Sequence, residues 1–259
     1  TARSRKKRIV AVELRGLRDS PGLPITTAIP PEFTGIRDQV LIDLRDHIVD
    51  GRLSNPQVAA EQINLLPRLL RTKVDGLDRD DLSYVFGGLA PVPLTFLAGL
   101  LMDDEQAVAI VDWDRNAGKW KSLAGPDDGK RFSTICSDAP LTGEVALAIS
   151  VSYTVDTAGV SDTLGEIPVV HMILESGAPD CHWSEEKQQA MGNDVLTKLI
   201  ELSNSGVTKI HLFLAAQSSL VFRFGRLYDK RNLPPVRVYQ YQRGDVPVFP
   251  WAIEMPVAG

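Results

Sequence analysis

Two cysteines, Cys136 and Cys181, are too few for a disulfide framework and fit a reduced, intracellular compartment. No apolar run reaches the length of a membrane span and no signal peptide is visible, so the expectation is a cytoplasmic protein that touches no membrane. The histidines (His47, His171, His182 and His211) are scattered, with no pair at ligand spacing on one element, and no metal site is expected. No Gly-x-Gly-x-x-Gly follows a strand and no Walker loop is present. That disfavours a dinucleotide oxidoreductase or an NTPase, and no cofactor is expected. An excess of positive charge is also lacking: 28 Lys and Arg against 33 Asp and Glu give a net charge of −5, which argues against a surface coated for nucleic-acid duplexes.

What is present is an ordinary globular composition over 259 residues, enough for one large domain or two small ones. The basic start, residues 1–7, reads as a solvated linker end entering the first strand. Without an initiator Met, the chain reads as a fragment or as a processed start. Residues 9–14 read as a strand and residues 15–31 as a loop. Val40, Leu41, Leu44 and Ile48 give residues 36–48 a helix-like face. Residues 57–74 carry a stronger helical stripe, with a kink or break expected at Pro67. Strands follow at 82–86 and 107–111, with a helix at 94–102 between them.

The chain then begins again. Residues 145–151 and 169–174 read as strands, and a loop at 175–183 leads into a helix from Ser184 to Ser203. Ser184 is a natural N-cap for that helix, and Gly206 is placed to end it. The most organised stretch comes next. An apolar run, Lys209 to Ala216, reads as a buried parallel strand; Gln217-Ser218-Ser219 is a polar turn; Leu220, Phe224, Leu227 and Tyr228 recur at helical spacing. Strand, short polar turn and helix N-terminus is a generic geometry for holding an anion. Pro234-Pro235 and a strand at 236–241 complete the chain, with an aromatic tail at Phe249-Pro250-Trp251.

The two halves superpose in sequence. Leu94 and Leu220 are 126 positions apart, as are Gly99 and Gly225. Residues 108–115 fall on 236–243 at an offset of 128. The paired glycines suggest a helix that crosses a sheet closely. The chain therefore reads as α/β: two doubly wound units with pseudo-twofold symmetry. Ligands in such folds bind beyond the carboxyl ends of the strands, and two units side by side can form one composite pocket there.

These features resemble SAVED domains, the sensor modules of bacterial CBASS antiphage effectors. The resemblance is carried by the strand Ile210-His211-Leu212-Phe213-Leu214-Ala215, by Phe224-Gly225-Arg226, by the strand Val236 to Tyr241 and by the aromatic-proline tail. It implies two fused CARF-like, Rossmann-like units, here 8–136 and 137–259. It implies a cyclic oligonucleotide as ligand, with a cyclic dinucleotide favoured over a trinucleotide. It also implies a fused N-terminal effector, of which the HNH endonuclease kind is favoured, so that this chain is a sensor and not itself an enzyme. DNA would be a partner only through that effector, and copies would associate through their sensors on ligand binding. Two other readings stay open: a ring nuclease that cleaves the cyclic nucleotide in the same pocket, with His182 as the candidate base, and a scaffold that only oligomerises.

For the phosphates of such a ligand, Gln217, Ser218 and Ser219 come first. The matching turn, Ala90-Pro91-Val92-Pro93, has no side-chain donors, so the second unit should bind more strongly. Arg15 and Arg18 leave the first strand at its carboxyl end, and Tyr153 leaves the equivalent strand. Arg226 either points at the pocket or pairs with acid on the surface. For the bases, Trp183, beside His182, either stacks on a base or staples the following helix. Trp113 and Trp120 flank a turn and read as packing residues.

Overall fold

The computed structural model describes residues 7–17, 22–102 and 106–256. Its first sheet has five strands in the order β2-β1-β5-β6-β7. These are β1 (Arg8–Arg15), β2 (Ile36–Asp43), β5 (Leu82–Leu89), β6 (Val108–Asp114) and β7 (Lys119–Ser122), with a small ribbon of β3 (Ile48–Val49) and β4 (Arg52–Leu53) lying apart. Helices α1 (Pro56–Asn64) and α2 (Leu66–Val74) lead into β5, and α3 (Val92–Met102) connects β5 to β6. β1 pairs in parallel with both β2 and β5, and β7 turns back antiparallel on β6.

The second sheet repeats this plan, in the order β13-β12-β11-β9-β10-β8. It comprises β8 (Phe132–Cys136), β9 (Gly143–Ser150), β10 (Val169–Leu174), β11 (Val207–Ala215), β12 (Val236–Gln240) and β13 (Trp251–Met255). Helix α4 (Thr157–Leu164) follows β9, α5 (Glu185–Asn204) connects β10 to β11, and α6 (Ser218–Leu227) connects β11 to β12. Strand for strand, β10-β9-β11-β12-β13 matches β2-β1-β5-β6-β7, including the antiparallel last member. The duplication read over residues 86–115 thus extends to whole sheets. Only β8 is extra, and it pairs antiparallel on β10 in the second sheet.

The central strands are mostly apolar because both of their faces are covered, with Glu13 and His211 as buried exceptions. On β1, Val10, Val12 and Leu14 join a core that also holds Val145, Leu147 and Ile149 of β9, so one apolar interior runs through both units. Ile9 and Ala11 point the other way, to a separate cluster with Ile25, Val85, Val111 and Trp120. The outer face of the second sheet has its own cluster around Phe213, Tyr239 and Phe249, which puts the aromatic tail into packing.

The shared interior is built on α3 against α6. A Cβ added at Gly99 would lie 2.1 Å from the Phe222 carbonyl oxygen, and one added at Gly225 would lie 2.1 Å from that of Phe96. The paired glycines therefore serve a crossing of two helices, where the sequence suggested helix on sheet. Beside the crossing, Phe86 of the first unit stacks on Phe222 of the second, with ring planes 4° apart.

One element differs in kind from its sequence reading. Residues 36–43 form strand β2, not a helix. Val40 and Ile42 are buried while Gln39 and Leu41 are not, a period of two that the four apolar positions at helical spacing concealed. Eight consecutive pairings with β1 hold it there, so tertiary pairing overrides a weak local preference. The helix over 57–74 does break, at Leu65, two residues before Pro67, giving α1 and α2. The Ser184 cap forms as expected, accepting from the Lys187 amide at 3.1 Å.

The loop before β8 carries a testable ion pair. The Arg131 guanidinium, bonded to Asp127 at 2.6 Å, holds that carboxyl well below the aspartate range, at about 2. A carboxylate whose folded pKa is depressed contributes stability that is complete above the unfolded value and is lost as pH falls through the folded one. The expected carbon-13 titration midpoint of Asp127 is therefore about 2. A midpoint at the model-peptide value of ~4 would mean the pair does not form in solution.

Candidate functional site

A cleft of about 360 Å³ opens between the two units at the carboxyl ends of their strands. Its walls come from equivalent places on both sheets: Leu17 after β1 and Ser152 after β9, Leu89 at the end of β5 and Ala216 after β11. The first turns of α3 and α6 both face it, through Val92 and Ser218. Placement at the strand ends and helix starts follows from parallel βαβ connectivity, which brings every loop of that type to one edge.

The floor is held by hydrogen bonds that cross between units. Asp112, at the end of β6 and 4% exposed, accepts from the Ser219 amide of α6 at 3.0 Å and from its own neighbour's amide, Trp113, at 2.8 Å. Gln240, the residue that aligns with Asp112, accepts from the Val92 amide of α3 at 2.9 Å. Each unit therefore supplies an acceptor to the helix N-terminus of the other, where amides lack intrahelical partners. A carboxylate at α6 also complements the positive end of that helix. The His182 imidazole lies 3.4 Å from the same Asp112 carboxylate and is itself 3% exposed.

The cleft gathers five of the residues expected from sequence: Gln217, Ser218, Trp183, His182 and Tyr153. Tyr153 is 70% exposed, an aromatic ring offered to solvent at the rim. Trp183 is half-buried, with the Lys121 ammonium 4.6 Å from its ring centre and the His182 ring tilted against it at 4.3 Å. The Ser218 hydroxyl donates to the Gly88 carbonyl of the other unit at 2.5 Å. The Gln217 amide nitrogen donates to the carbonyls of Ala178 and Pro179 at 3.2 and 2.7 Å.

Three expected residues stand elsewhere, and one lies outside the described residues. Ser219 is buried beneath the floor, its amide on Asp112 and its hydroxyl accepting from Gln188 at 2.8 Å. Arg15 turns back onto the buried Glu13 carboxylate at 2.6 Å and does not line the cleft. Arg226 sits near the far end of α6, donating to the Gln106 carbonyl of the other unit; neither of its two expected placements describes that contact. Arg18 is the residue outside the description.

Sequence reasoning missed Asp112, Arg115 and Asn116 as cleft residues, and read Trp113 as packing alone. Trp113 does pack edge-to-face on the buried Trp120, at 5.4 Å, but it also lines the cleft. The signal for all four was available: they end or follow the strand that aligns with 236–241, so they fall at a carboxyl end. Arg115 brings the one guanidinium or ammonium among the described residues that line the cleft; Asp112 and Asp180 bring carboxylates.

Solved structures share this fold. The Cap4 SAVED/CARF-domain containing receptor of Acinetobacter baumannii, in its structure with the cyclic trinucleotide 3'3'3'-cAAA, superposes with a TM-score of 0.63 at 13% identity, over 94% of this chain and 50% of that one. Its structure with 2'3'3'-cAAA gives a TM-score of 0.62 at 12% identity, over 94% and 50%. The Cap4 receptor of Moraxella osloensis gives 0.56 at 12% identity, over 98% and 50%. The chain thus spans about half the length of the receptors it matches, and the doubly wound pair of units is the CARF-like arrangement they share. No curated protein sequence matches the chain.

A family model described as the SAVED-fused 2TM effector domain matches residues 1–60. That match corrects two expectations. It names a two-transmembrane effector region, which points to a membrane-associated protein and overturns both the cytoplasmic location and the absence of a membrane partner. The effector region matched is of the two-transmembrane kind and not the HNH kind favoured from the sequence. Hydropathy misled here because, among the described residues, no helix is long and apolar enough to cross a membrane. Within the matched span β1 and β2 belong to the first sheet. A second family model, described as the SMODS-associated and fused to various effectors sensor domain, matches residues 65–255, nearly three-quarters of the chain, and by that match the chain belongs to the SAVED family of sensor domains.

Proposed function

We propose that the cleft receives a cyclic oligonucleotide and that its binding is the signal a fused effector reads. The observation that carries this reading is one cleft, walled by equivalent strand ends of two equivalent units, with Trp113, Trp183 and Tyr153 around it. Aromatic faces suit unstacked bases, and a site with pseudo-twofold walls suits a ligand built from repeated nucleotides. A cyclic dinucleotide matches the two equivalent units one for one and is the favoured ring size. The trinucleotide reading has its own support, since two of the similar receptors were solved with cyclic trinucleotides. Activation would follow from differential affinity: the ligand shifts the sensor only to the extent that it binds one arrangement of the two units better than the other.

A thermal-shift screen across cyclic di- and trinucleotides tests the reading and ranks the ring sizes. A rise in melting temperature with one class is the expected result. No shift with any member, at concentrations that saturate a known receptor, would sink it. With a hit in hand, Trp183→Ala is expected to weaken binding by about 1–3 kcal/mol, the usual worth of a base stacked on an aromatic ring. Calorimetry that finds the affinity unchanged would assign Trp183 to packing alone.

A further inference from the structure

The turn before α6 has the outline of a phosphate cradle, yet its side-chain donors and the Ser219 amide already have partners. The Gln217 amide has two N–H groups, and both reach backbone carbonyls, Ala178 and Pro179. A carbonyl oxygen cannot donate, so the nitrogen must face these two and the orientation of the amide is determined. The Ser218 hydroxyl donates to Gly88, and the Ser219 amide donates to Asp112. Among the side chains of the turn, what is left without a partner is an acceptor, Gln217 Oε1.

Among the described residues, four buried side-chain nitrogen or oxygen atoms have no hydrogen-bond partner: Asp38 Oδ2, both ring nitrogens of His182, and Gln217 Oε1. Asp38 Oδ2 lies 3.0 Å from the Arg8 guanidinium, so its charge is met. His182 Nε2 likewise lies 3.4 Å from the Asp112 carboxylate, which leaves His182 Nδ1 and Gln217 Oε1, on two residues that line the same cleft. Buried polar atoms without partners are costly, and at a cleft such atoms wait for a ligand. A phosphate suits this corner poorly, because it brings acceptors and negative charge to an acceptor in a cleft that Asp112 and Asp180 also line.

We infer that the Gln217 corner of the cleft, with His182 beside it, reads a hydrogen-bond donor of the ligand, and that the phosphates lie elsewhere. This rests on the cyclic-oligonucleotide reading above. Besides the ring imino N–H of guanine or uracil, such a ligand donates through the exocyclic amino group of a base and through a free ribose hydroxyl, and the corner reads one of these two. The side chain keeps its amide orientation through the loop at Ala178 and Pro179, so it is a preset acceptor, and a preset acceptor discriminates against ligands that lack the matching donor.

The test is a cross between ligand atoms and Gln217, read by calorimetry on the full chain. Starting from the cyclic nucleotide that the screen identifies, three analogues are compared: hypoxanthine in place of the amino-bearing purine, fluorine in place of the free ribose hydroxyl, and phosphorothioate in place of phosphate. Against the native chain, either the hypoxanthine or the fluoro analogue is expected to bind about tenfold more weakly. In Gln217→Ala that same tenfold ratio is expected to fall to near one, while the phosphorothioate ratio stays as in the native chain. A general loosening of the loop would weaken all ligands alike and leave every ratio unchanged, so it cannot imitate this result. If Gln217→Ala does not fold, Gln217→Met keeps the side-chain length and carries the same comparison. Unchanged ratios for the amino and hydroxyl arms, or a change confined to phosphorothioate, would overturn the inference and leave the proposed ligand class intact. Failure of every cyclic oligonucleotide to bind would overturn the proposed function and this inference with it.

Discussion

Gly225→Ala is expected to cost the chain at least about 3 kcal/mol, and Gly99→Ala a similar amount. On helix propensity alone both changes would stabilise, by about 1 kcal/mol, because alanine is the better helix former. Packing reverses the sign. Each new methyl would sit 2.1 Å from a backbone carbonyl oxygen of the facing helix, Phe96 in one case and Phe222 in the other. The obstacle is main chain, so no rotamer change relieves it; α3 and α6 must move apart. Separation would loosen the Phe86–Phe222 stack and the Ser218–Gly88 bond, which lie beside the crossing. It would also move both helix starts that wall the cleft. Urea denaturation should therefore show a much lower midpoint at similar slope, and the folded fraction should respond less to ligand. An unchanged midpoint would show that the helices do not approach this closely in solution.

Asp112→Ala is expected to destabilise by about 3 kcal/mol, more than its counterpart Gln240→Ala, for which about 1 kcal/mol is expected. The two residues align and do the same work for opposite helices, but their settings differ. Asp112 is 4% exposed and accepts from two amides, so its removal leaves two donors without an acceptor, one of them buried. Gln240 is only half-buried and accepts from one, so water can replace it. Asp112→Asn should fall between, since an amide offers one oxygen where the carboxylate offers two. Denaturation midpoints for the three variants check the order. Equal losses for Asp112→Ala and Gln240→Ala would mean that burial does not set the cost.

The parallel sheets were legible in the sequence because strands covered on both faces read as continuous apolar runs, as in residues 145–149 and 210–215. The duplication was legible for the same reason: Gly99 and Gly225 cannot vary where two backbones touch, and their spacing survived with them. Strand β2 was not legible, because an edge strand with one buried face carries few apolar residues, and Val40, Leu41, Leu44 and Ile48 also fit a helix. Of the site, the stretch that supplies Gln217 and Ser218 was visible as a strand, turn and helix start. What those side chains do was not, since the partners that claim their donors lie 38 and 130 positions away, at Pro179 and Gly88.

By itself, then, the sequence determined the class of fold, its twofold plan, and the edge of the sheets at which a ligand would sit. Those follow from local periodicity and from connectivity, both of which are properties of the chain taken in order. Only the tertiary structure decided the chemistry of the cleft. Asp112 reaches a helix 107 positions away, and that contact places a carboxylate where the local geometry of the turn invited a phosphate. The physical reason is that hydrogen bonding is an accounting over the whole fold: a donor that looks available in its own segment is available to a ligand only if no distant residue has been folded against it.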